Sequence, residues 1–408
     1  MKRDYSQTRR RLLSSLAGLG GLAAFTDQRA AAFPSPTPSA AWAHAFDPNR
    51  NRPTWDPRAL PVKGDVVHEY DLEIVIAEHE IVPRIAFHAY AFNGQVPGPL
   101  IRVKEGDWIQ VNLTNKTHDF HTIHWHGMYV PCEMDGIPLG TQYPVGYGET
   151  FRYLWRAQPA GTHFYHCHNM TNMHIQAGLY GALIVESHDD PVRRVFGYDR
   201  EYVMVLSEVD TNFIAAMMND MLKMGHTMSF MAGSGGRMAA MNGEMMGWFA
   251  STADFEKSVK SGWIPPYDPS LTGDPMRIRP NFFMINGKSW PMTEHLHIRR
   301  GENIRVRLIN TGLLPHAMHL HGHDVWEVCR DGAPLASPVR LNTIPVMAGS
   351  TVDFVVQGTN AGNWHFHDHS DLSLTNNGVS PGGMMTMLMY DDADQAGFTF
   401  KEIIAVNS

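Results

Sequence analysis

Residues 92–127 read FNGQVPGPLIRVKEGDWIQVNLTNKTHDFHTIHWHG, and residues 285–322 read INGKSWPMTEHLHIRRGENIRVRLINTGLLPHAMHLHG. The two stretches share one frame. Gly106 precedes His124 by 18 residues, and Gly301 precedes His319 by the same 18. Each copy ends in His-X-His-Gly and is followed by a second motif, GTHFYHCHN at 161–169 and GNWHFHDHS at 362–370. There Gly161 aligns with Gly362, His166 with His367 and His168 with His369, while the central residue changes from Cys167 to Asp368. A repeat of this length is one folding unit used twice.

The unit reads as β-structure. EYDLEIVIAEHEIV, WIQVNLTN, TFRYLWRA, LYGALIVE, NIRVRLIN and TVDFVVQG have strand length, period-2 character and many β-branched residues, and Gly, Pro and Asn separate them. Helical periodicity is scarce. The expected fold is all-β, two tandem Greek-key β-sandwiches at about 63–190 and 191–400. Residues 33–62, rich in Pro, Ala and Arg, read as an arm or linker. The second unit carries an insertion, about 211–275, with ten methionines from Met217 to Met246. Met fills irregular core gaps, which is one reading. These methionines sit among Gly, Ser, Asn and Asp, and thioether sulfur is a soft ligand for Cu(I), which is the other.

At 408 residues and 18% charged, the composition is that of a folded protein. Net charge is −8; residues 1–32 carry +4 of it, leaving −12 for the remainder. So acidic a surface argues against nucleic acid as a partner and suits a cationic substrate. SQTRRRLLSSLAGLGGLAAF places an arginine pair before an apolar Gly/Ala run, and RAAAFP offers small residues for cleavage. A disordered basic tail is the plainer reading. The order of the parts favours a twin-arginine export signal over 1–32, and hence a periplasmic or secreted protein exported folded. No stretch is long and apolar enough to span a bilayer. Three cysteines are too few for a disulfide scaffold, and sequence leaves open whether Cys132 and Cys329 pair.

A lone histidine is weak evidence for a ligand. Four His-X-His segments in register with an internal repeat are strong evidence. They are His124-Trp-His126, His166-Cys-His168, His319-Leu-His321 and His367-Asp-His369. Eight imidazoles in a two-plus-two arrangement point to a multinuclear transition-metal site where domains meet. Cys167, with His121 and His174 in reach, has the thiolate and imidazoles of a blue copper site; a buried small hydrophobe is the plainer alternative. Leu179 follows His174 by five residues, where many copper sites place Met. Leucine supplies no sulfur, so a higher reduction potential is expected.

These motifs resemble the multicopper oxidase family, laccases and their relatives, across nearly all of 63–395. The resemblance implies cupredoxin-like domains and four coppers per subunit. It places type 1 copper at Cys167, His121 and His174, with Leu179 in the axial place. It places type 2 at His124 and His319, and type 3 at His126, His166, His168, His321, His367 and His369. With two domains and the cysteine in the first, the chain is similar to the two-domain members with an N-terminal type 1 site. That implies a homotrimer, each cluster shared between neighbouring subunits. It also implies one-electron oxidation of a small molecule or of Cu(I), coupled to reduction of dioxygen to two waters. Asp135, in CEMDGIP, resembles the family's acidic residue beside the cluster and would relay protons; a turn-forming Asp-Gly is the alternative. His316, the counterpart of His121, has no thiolate beside it and is expected to be a supporting or surface histidine. Two other functions compete: a copper nitrite reductase, which needs only one three-histidine copper at the interface, and a non-enzymatic copper-sequestering protein.

Overall fold

Burial alternates along Val67–Val82 and Trp108–Asn115, as a strand with one face in a core requires. The computed structural model describes residues 56, 59–218 and 278–392. The signal at 1–32, nearly all of the arm and the insertion beyond residue 218 lie outside these. In the first half the strands are β1 (Val67–Val82), β2 (Ile85–Phe92), β3 (Gly98–Lys104), β4 (Trp108–Asn115), β5 (His124–His126), β6 (Thr150–Arg156), β7 (Gly161–His166) and β8 (Tyr180–Glu186). Two short helices, α1 (Thr171–Gln176) and α2 (Pro191–Phe196), flank β8. The second half has β9 (Arg200–Val209), β10 (Phe282–Ile285), β11 (Leu296–Ile298), β12 (Asn303–Asn310), β13 (His316–Leu320), β14 (Val325–Arg330), β15 (Ala333–Leu341), β16 (Thr343–Val346), β17 (Thr351–Gln357), β18 (Asn363–Asp368) and β19 (Met385–Tyr390). All six segments quoted above as strands are strands.

Each half is a pair of sheets. The first has orders β2-β1-β4-β6 and β3-β8-β7-β5; the second has β10-β9-β12-β17-β14-β15 and β11-β19-β18-β13-β16. The repeat shows in the pairing. β1 lies parallel to β4 as β9 does to β12, and β3 lies parallel to β8 as β11 does to β19. These are cupredoxin-like β-sandwiches. Each copy opens with an Asn-Gly turn, Asn93-Gly94 and Asn286-Gly287, with positive φ at all four residues. The Asn side chains accept from the Glu73 and Val205 N–H groups and donate to the Asp71 and Val203 carbonyls. Identical local sequence therefore makes identical local structure.

Among the described residues the apolar side chains form two large cores and a small cluster around Phe196 and Val328. The first holds Trp125, Tyr153, Trp155, Phe164 and Tyr165 and also takes in Val205, Val209 and Met284 from the second half. The second is built on Phe283, Leu296, Val306, Phe354 and Phe366. Burying each such side chain contributes on the order of 2 kcal/mol. The shared residues of the first core bind the halves together. Helical residues 211–218 begin the insertion, capped by Asp210, which accepts from the Asn212 and Phe213 N–H groups. Met217 and Met218 are buried in the first core, so packing accounts for these two of the ten methionines.

Candidate metal centre

The loop from β4 to β5 delivers the first ligand. Asn115 donates to the Asp119 and Val145 carbonyls and accepts from the Thr117 N–H, which folds 115–121 tightly. His121 then bridges to Val145. Cys167 follows β7, its N–H donating to the Leu179 carbonyl at 3.0 Å. His174 arrives on helix α1 rather than on a strand beside β7. Cys167 Sγ lies 3.5 Å from His121 Nδ1 and 3.2 Å from His174 Nδ1. The three donor atoms fall within 4.8 Å of one another, and all three residues are buried. Leu179, also buried, stands next to them.

The outer nitrogens are tied. His121 Nε2 donates to Thr117 Oγ1 at 2.8 Å, whose proton goes to Asn115 Oδ1. His174 Nε2 donates to Asp119 Oδ2 at 3.2 Å. With these outer bonds, Nδ1 is in both rings the nitrogen turned toward the sulfur, as metal-binding imidazoles require. Burial, with His174 beside it, pushes His121 well below its ordinary pKa. Burial also opposes charge on His174, but a Cys167 thiolate and the Asp119 carboxylate outweigh it and raise it to about 10. One soft sulfur and two imidazoles, buried and oriented, fit a copper ion.

The other histidines form two quartets. His124 stands opposite His166 across β5 and β7, and His319 stands opposite His367 across β13 and β18. In the first quartet His124 lies 5.7, 5.3 and 5.3 Å from His126, His166 and His168, ring centre to ring centre. In the second His319 lies 4.9, 5.9 and 5.6 Å from His321, His367 and His369. The outer bonds repeat as well. The Nδ1 atoms of His124, His166, His319 and His367 donate to the carbonyls of Asp135, Cys167, Asn342 and Asp368 at 2.7–2.9 Å. Each Nε2 is thereby free of the backbone, and that of His367 lies 2.9 Å from His321 Nε2. Burial first, then the neighbouring His124, lowers His126 to about 4. Burial, against the bond to the Cys167 carbonyl, lowers His166 to about 3. Both rings are therefore neutral donors. Among the described residues no ring contact joins the two quartets.

Asp135 Oδ1 lies 3.2 Å from His124 Nδ1, and its side chain is partly exposed. Gly136 follows with φ +78°, and a side chain there would overlap the Ile123 carbonyl. Only glycine lets this turn pack against the start of β5. Four neighbours of the site escaped sequence reasoning. Asp119 and Thr117 orient the thiolate-side imidazoles. His365 takes the place of Phe164, and its ring lies 5.8 Å from His321. Glu208 reaches His316 from β9. His365 was legible, since it aligns with the aromatic Phe164; Glu208 lies too far along the chain to carry a signal. His316 is not a surface residue: it is buried between two carboxylates. Cys132 is exposed and Cys329 buried, and both are free thiols, so the open question of their pairing closes within the chain.

Two sequence-family models, each described as multicopper oxidase, match residues 78–190 and 263–393. Copper resistance protein A of Pseudomonas syringae pv. tomato is 28% identical over 272 residues, 66% of this chain and 43% of that protein. The chain spans about half the length of the curated relatives it matches. The crystal structure of a blue copper oxidase from Nitrosomonas europaea superposes with TM-score 0.64 at 32% identity, covering 82% of this chain and 92% of that one. A multicopper oxidase called mgLAC superposes with TM-score 0.65 at 29% identity, over 82% and 90% of the two chains. On the matched models, the shared fold and the paired histidine motifs, the chain belongs to the multicopper oxidase family.

Proposed function

We propose that this chain oxidises its substrate one electron at a time and passes the electrons to dioxygen, which is reduced to water. Four coppers per subunit would supply the chemistry when bound: a mononuclear one accepting single electrons and a three-copper cluster delivering four to dioxygen. Cys167, His121 and His174 would hold the first; the two histidine quartets would hold the cluster. One observation carries the reading. Cys167 turns its sulfur to His121 and His174, while its neighbours His166 and His168 turn their rings to His124. The covalent chain from Cys167 to either histidine therefore joins the two sites.

The residues around them have separable tasks. Burial of Cys167, His121 and His174 excludes water from the thiolate. Asp119 holds His174 in one tautomer. Asp135, partly exposed and in contact with His124, would hold protons bound for dioxygen. Each quartet alone offers four imidazoles, so the cluster needs a second copy of the chain, and a homotrimer closes this head-to-tail arrangement. Nitrite reduction would need one copper held by three histidines and would leave five of the eight paired histidines idle.

Cu(I) is the favoured substrate over phenols and aromatic amines. Its support is the acidic net charge, the Asp119 carboxylate over His174, and similarity to a protein named for copper resistance. The periplasm or exterior, reached by a twin-arginine signal, is the proposed location. Copper analysis with oxygen uptake tests the core of this reading: four coppers per subunit and oxygen consumption are expected, and two coppers with nitrite reduction would replace it. Deleting 219–250, which leaves the packed residues 211–218 in place, is expected to abolish Cu(I) oxidation and spare phenol oxidation; unchanged Cu(I) kinetics would remove the insertion from the mechanism.

A further inference from the structure

The repeat extends to the surroundings of the copper site, and there the second copy departs from the first in a specific way. Asn310 does in the second half what Asn115 does in the first. It donates to the Leu314 and Val346 carbonyls and accepts from the Gly312 N–H. The frame around His316 is therefore the frame around His121. At the metal end, Asp368 stands where Cys167 stands. His316 Nδ1 donates to Asp368 Oδ2 at 2.8 Å, where His121 Nδ1 faces Cys167 Sγ at 3.5 Å. At the outer end, Gly312 stands where Thr117 stands. The space it leaves is filled by the Glu208 carboxylate, which a side chain at 312 would overlap. Glu208 Oε2 lies 3.4 Å from His316 Nε2, and Glu208 Oε1 accepts from the Leu313 and Leu314 N–H groups.

All three side chains are buried. The carboxylates bind opposite nitrogens of one ring, so no single ion can be shared by the three. Burial opposes charge on His316, but Asp368 and Glu208, one at each ring nitrogen, raise its pKa to about 9. Such a buried set, each member paired, is costly to break at any point.

The set also grips the ligand-bearing strands. Asp368 lies between His367 and His369, and its other oxygen accepts from the Ala317 N–H of β13 at 2.9 Å. His367 Nδ1 donates to the Asp368 carbonyl at 2.7 Å, and the His369 N–H donates to the Ala317 carbonyl at 2.9 Å. A tilt of Asp368 would move both histidines together.

We propose that Glu208, His316 and Asp368 form a metal-free replacement for the sulfur–imidazole crosslink of the first domain, and that these positioning residues fix His319, His321, His367 and His369 for the copper cluster. This rests on reading those four histidines as cluster ligands. The test uses the full-length, copper-loaded protein and three variants: Glu208→Gln, Asp368→Asn, and the double variant Glu208→Ala with Gly312→Thr. The last rebuilds the hydroxyl contact that Thr117 gives His121; Glu208→Ala alone is its control. Chelator competition reads cluster copper, electron paramagnetic resonance reads the type 2 signal, and visible absorption reads the Cys167 site. The single variants are expected to release cluster copper about 10–100-fold more readily, the usual effect of removing a residue that orients a ligand. The type 2 signal should change and the visible band should stay. The double variant should recover most of what Glu208→Ala loses. Chelator resistance equal to wild type would overturn the proposal. So would equal loss at both copper sites, which would mean general unfolding. A wild-type protein without the visible band would fail differently, by sinking the copper reading itself.

Discussion

In the proposed function, Cys167 is the residue on which the electron path depends. It is buried, and its sulfur has two imidazole nitrogens within hydrogen-bonding range. Serine keeps the size and loses the soft donor. Cys167→Ser is expected to abolish the intense visible band and substrate oxidation while leaving the histidine-bound copper, as absorption and copper analysis on one sample would show. Leu179 tests the axial place. Its backbone is fixed by bonds to Cys167 and His174, so a new side chain starts from a defined position. Leu179→Met adds a thioether donor, which favours Cu(II) and should lower the reduction potential of the site. Spectroelectrochemical titration reads the sign; a higher potential would show that residue 179 does not face the metal.

At the scale of elements, β5 with β7 and β13 with β18 set which rings meet. A one-residue slip would turn His166 and His367 away from their partners, so register matters as much as identity. β7 is anchored at its far end. Thr162 donates to Asp353 Oδ1 at 2.7 Å and accepts from Arg307 at 2.8 Å, and its carbonyl accepts from Thr351. Thr162→Val removes the hydroxyl and leaves buried charged groups short of a partner. The expected cost is about 1–3 kcal/mol, read as a lower unfolding midpoint in denaturant. A variant as stable as wild type would mean the strand is held by packing alone.

Over the whole molecule, an ion network joins the two halves. Glu201 of β9 pairs with Arg102 of β3 and Arg307 of β12, and Asp353 pairs with Arg305 and Arg307. Burial raises the Glu201 pKa, but Arg307 and Arg102 outweigh it and lower it from 4.5 to about 2. A depressed folded-state pKa gives stability that is complete above the unfolded value and lost as pH falls. The contribution should be full above pH 4.5 and disappear toward pH 2. Glu201→Gln is expected to be less stable than wild type at neutral pH by on the order of 2 kcal/mol, with the gap closing across that window. Unfolding curves at pH 7 and at acid pH, each by circular dichroism, check the sign. Assembly belongs to this scale too. Light scattering should give three subunits; a monomer with full cluster copper would contradict the shared-cluster reading.

The sequence alone determined the β-sandwich pair, because a period-2 character in the segments and a duplicated frame are local properties that survive without coordinates. It also named the histidines, since chance does not set four ligand pairs in register with a repeat. Only the tertiary structure decided what surrounds them. Asp119 reads as a loop aspartate until the Asn115 bonds fold it onto His174. His316 reads as a leftover until β9, more than a hundred residues earlier, inserts Glu208 into the space that Gly312 leaves. A ligand motif is written in neighbouring residues, whereas the groups that orient a ligand come from whichever strand packs behind it, and that is set by how the sheets close over the core.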